Sequence, residues 1–147
     1  MSRRLKAYEA LLRMAEAKEL RADVALSAAV GEEGACRSRL AVEVAQRNAI
    51  ASAGRGGMAG GRIDMSRYEV LSSLDVAFAE RQQLASVDLA AATRTRETRA
   101  TEGLLAKRYR ERVSDHLGKF TRVLHGERTA KSQEDAIELW LDSEDRP

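Results

Sequence analysis

Five of the ten glycines in this sequence fall between Gly54 and Gly61, and long helix-like patterns run on either side of them. Each glycine costs a helix about 1 kcal/mol relative to alanine, because its backbone has the most freedom to lose. A cluster this dense predicts a break over 53–64, with Gly54, Gly56, Gly57, Gly60 and Gly61 as its hinge or tip. Two arms follow, a first helix over 2–52 and a second over 65–126, with a short amphipathic segment and acidic tail over 127–147. Gly54, Gly56 and Ala59 also fit the G-x-G-x-x-A spacing of a dinucleotide site. That motif needs a buried strand before it, and the alanine-rich QRNAIASA is a poor strand. Nucleotide binding is not expected.

Aromatics make up 4% of the chain and charged residues 33%, and alanine dominates the apolar share. Bulky side chains are too few for a wide core, whereas alanine is the best helix former and suits close helix–helix seams. The one proline is Pro147, so none interrupts a helix. The expected fold is all-α, an elongated antiparallel two-helix coiled-coil hairpin, since two striped arms on a short connection bury both stripes by folding together.

In the first arm, Leu5, Tyr8, Leu12, Ala15, Ala22 and Leu26 hold a and d positions of one heptad frame, continued by Ala29, Cys36 and Leu40. Glu19 and Glu33 take the remaining a positions. After Leu40 the frame is expected to fail at Glu43 and Arg47, with Val44 offering a shifted seam. In the second arm Asp64 or Ser66 is the candidate cap. Val70, Leu71, Leu74, Ala77, Phe78 and Leu84 then supply an apolar face, which weakens through TRTRETRATE. Leu104, Leu105, Tyr109, Val113, Leu117, Phe120, Val123 and Leu124 restore it. Gly103, Gly118 and Gly126 are expected bends.

This order resembles the FliJ-type proteins, the SctO or YscO group of injectisomes, which are stalk subunits of flagellar and injectisome type III export. The resemblance rests on a heptad arm, a glycine-rich break with Arg62, the aromatic Tyr68, and h-h-x-x-L-[DE]-x-A over Val70, Leu71, Leu74, Asp75 and Ala77. It implies a non-enzymatic, cofactor-free coiled coil that links a hexameric export ATPase to the cytoplasmic domain of the export-gate protein, with export chaperones as further partners. It also implies a cytoplasmic protein, peripheral to the inner-membrane export apparatus. The gate contact implied is Tyr68, Val70, Leu74 and Phe78, with valine at position 70 where family members carry an aromatic. The ATPase-facing end implied is Arg3, Arg4, Lys6 and Trp140. Seam packing is the alternative role for Leu74 and its neighbours. Folding back onto the first arm is the alternative for Trp140.

Other chemistry is thin. Net charge is +2, and the basic run from Arg94 to Arg112 has only Tyr109 for stacking, so a solvated face with i, i+4 pairs is expected rather than a nucleic-acid surface. His116 and His125 do not share a helix face, and no serine has a paired base. Cys36 is the single cysteine and reads as a small seam residue. No signal-peptide pattern or membrane span is expected. A self-associating coiled-coil scaffold of another system, or a nucleic-acid-associated helical protein, stay open beside the export stalk.

Overall fold

A computed structural model describes residues 2–58 and 64–145. The chain is an all-α hairpin of two helices, α1 (Ser2–Met58, 57 residues) and α2 (Met65–Glu144, 80 residues), packed against one another. There is no strand among the described residues, which removes the context that a dinucleotide motif requires. Asp64 caps α2: its Oδ1 accepts from the backbone N–H of Ser66 at 3.1 Å and of Arg67 at 3.3 Å, and its carbonyl accepts from Tyr68 at 2.9 Å. Two N–H groups that the first turn would leave unpartnered are thereby satisfied.

Both helices run further than the glycines suggest. α1 continues through Gly54, Gly56 and Gly57, and α2 passes Gly126 without interruption to Glu144. The expected arm ends at 52 and 126 and the separate segment after 126 are corrected accordingly, and Gly103, Gly118 and Gly126 do not interrupt α2. A glycine weakens a helix without forbidding it, and no proline is present to remove a hydrogen bond. Gly60 and Gly61, like Arg62, lie outside the described residues.

The fold divides into two compact units. Unit 1 comprises Met1–Arg21 and Gly103–Pro147, and unit 2 comprises Ala22–Glu102. In unit 2 the seam on α1 is Ala29, Glu33, Cys36, Leu40, Glu43, Arg47 and Ile50, a single heptad series in which every member is at least partly sheltered. The frame therefore does not fail after Leu40. Facing it on α2 are Leu71, Asp75, Phe78, Gln82, Ala85, Leu89, Ala92 and Arg96, again one heptad series. Three polar contacts set the direction and register. Arg96 Nε donates to Glu33 Oε2, and Arg47 donates from Nε to Asp75 Oδ1 at 3.2 Å and from a terminal nitrogen to Gln82 Oε1 at 3.3 Å. From Glu33 to Arg47 the sequence distance between partners falls from 63 to 35. That is two residues lost per residue advanced, as antiparallel helices require.

Unit 1 is built the same way. Ala15, Ala106, Val113 and Leu124 are its buried apolar residues, with Ala15 only 1% exposed. The Tyr8 and Phe120 rings meet at 5.2 Å between centroids, tilted by 40°. Arg110 Nε donates to Glu19 Oε2, so the a-position glutamate of α1 again meets an arginine of α2. The large residues of α2 chosen from the sequence as its stripe are largely outside the seam: Leu74, Leu84, Leu104, Leu105 and Tyr109 are exposed.

Candidate interaction surfaces

The heptad seams consume the side chains that hold the hairpin together, and what they leave exposed is the candidate binding surface. In unit 2 the first turns of α2 present Tyr68, Val70 and Leu74, with Val70 59% and Leu74 41% exposed. Phe78 belongs elsewhere. It is sheltered in the heptad seam, and the Arg81 guanidinium lies 5.1 Å from its ring centroid. The i, i+4 series Val70, Leu74, Phe78 thus splits, its first two members outward and its third inward. Leu74 lies off the heptad seam, whereas Phe78 lies in it.

Further along α2 from this patch, a shallow groove of unit 2 is lined by Cys36, Arg39, Glu43, Arg81, Leu84 and Asp88. Glu43 Oε2 is buried there with no hydrogen-bond partner. Burial holds the Cys36 thiol above its ordinary value, so it is protonated and unreactive at neutral pH. The Glu33 carboxyl is held below the usual glutamate value, first by the hydrogen bond from Arg96 and also by the one from Arg37 at 2.9 Å. No cluster among the described residues has the composition of a metal site.

In unit 1, Arg3 and Arg4 stand over a groove floored by Phe120, Val123 and Leu124 and closed by Glu127. Lys6 is exposed beside them. From His125 onward every described residue of α2 is exposed, including Ile137, Leu139, Trp140 (58%) and Leu141. Trp140 does not fold back on α1: α2 runs uninterrupted through Glu144 and leaves the indole 58% exposed. Charge on this part of α2 is segregated. Lys119, Arg122, Arg128 and Lys131, with Glu127 among them, precede an acidic block of Glu134, Asp135, Glu138, Asp142, Glu144 and Asp145.

The basic run is not one solvated face. Arg96 and Arg110 are the seam partners of Glu33 and Glu19, while Arg99 pairs with Glu102 at 2.9 Å on the surface. Lys18 Nζ sits 5.8 Å from the Tyr109 ring centroid, which occupies the one aromatic near that run. No helix among the described residues is long and apolar enough to cross a membrane. No family model matches this chain, and no curated protein or solved structure matches it either.

Proposed function

We propose that the chain is a non-enzymatic stalk of a type III protein export apparatus, flagellar or injectisome, joining a hexameric export ATPase to the cytoplasmic domain of the export-gate protein. The observation that carries this reading is the exposed trio Tyr68, Val70 and Leu74 on the first turns of α2 of a two-helix hairpin. An outward apolar strip at helical spacing, fixed by a capped helix start, suits a helix-in-groove contact. The exposed Arg3, Arg4, Lys6 and Trp140 of unit 1 supply the ATPase contact in this reading. No catalytic role or cofactor enters it. Exposed apolar and charged surfaces on a helical hairpin are suited to binding other proteins.

Binding of the purified full chain to the gate protein's cytoplasmic domain and, separately, to the export ATPase tests this by interferometry. The triple variant Tyr68→Ala, Val70→Ala, Leu74→Ala should retain its helical content and lose at least about tenfold in gate affinity, the scale of truncating a small apolar hot spot. ATPase affinity should be unchanged. Absence of binding to both partners, or a triple variant that binds the gate domain normally, overturns the assignment.

A further inference from the structure

We propose that a second copy of this chain docks antiparallel along α2 between Lys119 and Asp142, making a two-fold dimer through the exposed part of unit 1. At about 100° per residue, Val123, Gly126, Ala130, Ile137 and Leu141 lie within about 60° of arc on one side of α2. The hairpin seam at Leu117 and Leu124 faces about 130° away, so this second stripe is free while the hairpin is closed. All five of its residues are exposed or, like Val123 at 57%, mostly so. Its middle is small, Gly126 and Ala130, and its ends are large. Small residues at a crossing let two backbones approach closely, and the large ones then pack on either side.

Charge selects the occupant and its direction. The flank of the stripe toward α1 carries Glu134 and Glu138 in its second half, while beside its first half Arg3 and Arg4 stand with Glu127 at the rim of the unit 1 groove. A parallel copy would set acid against acid. An antiparallel copy centred on Ala130 brings this acidic flank level with the other copy's Arg3 and Arg4, and does so twice because an isologous interface repeats every contact. It brings Ile137 against Val123 of the second copy and Trp140 toward its Arg122. A two-fold axis also keeps each flank on its own side. The flank of α2 bearing Glu134 and Glu138 is the one on which α1 lies, so these carboxylates meet Arg3 and Arg4 at the rim of the second copy's groove. The apolar floor, the basic rim and the acidic tryptophan-bearing helix thus complete one another without any residue taken from the hairpin seam.

The pairing stands independently of the export reading, and the two make opposite use of the same end. A dimer formed this way covers Arg3, Arg4 and Trp140, so an ATPase that docks there competes with the second copy.

Sedimentation equilibrium of the full chain, with Trp140 emission recorded on dilution, tests the proposal. At about 100 µM the expected mass is twice 16.2 kDa, falling to 16.2 kDa on dilution with a red shift of Trp140. Glu134→Lys with Glu138→Lys, or Arg3→Glu with Arg4→Glu, should each weaken the dimer at least about tenfold at unchanged helicity, and combining all four should restore it. Ile137→Asp should leave a monomer. A wild-type monomer at about 100 µM overturns the proposal, as does a dimer indifferent to the charge reversals, which would place self-association elsewhere. Binding of a reversed-charge variant to the export ATPase is scored separately, so failure of one assignment is distinguishable from failure of the other.

Discussion

Glu33 shows how much one side chain does here. It occupies a seam position where a heptad ordinarily carries an apolar residue, its side chain is 9% exposed, and it accepts from Arg96 across the seam and Arg37 along its own helix. Two guanidinium groups hold it ionised and lower its pKa below the ordinary 4.5. The sign of the consequence follows. A depressed carboxylate stabilises the fold fully above its unfolded pKa, and the contribution is lost as pH falls through the folded value. Thermal midpoints should therefore be flat from neutral pH to about pH 5 and drop below about pH 4.5, and Glu33→Gln should flatten that acid limb. Asp64 is the second residue with a separable role. Asp64→Ala removes the acceptor for two backbone N–H groups and should cost about 1 kcal/mol. Hydrogen exchange should rise over Met65–Tyr68 and leave the middle of α2 protected.

At the scale of the helices, α1 was legible because one heptad frame from Leu5 to Leu40 picks out its sheltered positions, while Leu11, Met14, Leu20, Val24 and Val30 fall outside that frame and are exposed. α2 was not, because its seam carries Asp75, Gln82, Arg96 and Arg110 while Leu84, Leu104 and Leu105 face outward. A search for bulky apolar residues follows the wrong side of such a helix. Partners on α1 decide the matter, and they become visible only when Glu19 and Glu33 are set opposite arginines. The break was legible in place but not in extent, since helix hydrogen bonding tolerates glycines that no proline accompanies. The exposed Val70 and Leu74 were identifiable as an i, i+4 pair, but only the heptad register of α2 separates them from Phe78. Two changes test this packing. Ala15, in a seam too close for a larger residue, should lose about 1–3 kcal/mol of stability on replacement by leucine. Gly118→Ala should gain up to about 1 kcal/mol, because an added Cβ meets nothing within 4 Å. Both are read from denaturant midpoints.

For the molecule as a whole, function follows from a division of labour between seam and surface. Heptad positions close the hairpin with alanines and cross-helix ion pairs, which leaves tyrosine, valine, leucine and tryptophan side chains available for partners. Paired charges in a seam add little net stability over apolar residues, but they penalise any register that leaves them alone. A parallel pairing of two α1 helices would bring Glu33 against Glu33, which is one reason for the arms to pair within a chain. The central claim is that α1 and α2 are held antiparallel, in one register, by these layers. It is tested most directly by exchanging the charges of one layer in an Ile137→Asp background, which removes the two-fold pairing, and following thermal unfolding over a hundredfold range of concentration. Glu33→Arg and Arg96→Glu should each lower the midpoint, and the double exchange should recover most of the loss, with hairpin melting independent of concentration in all three variants. A double exchange no more stable than the sum of its single losses, or a hairpin transition that shifts with concentration, would contradict the account.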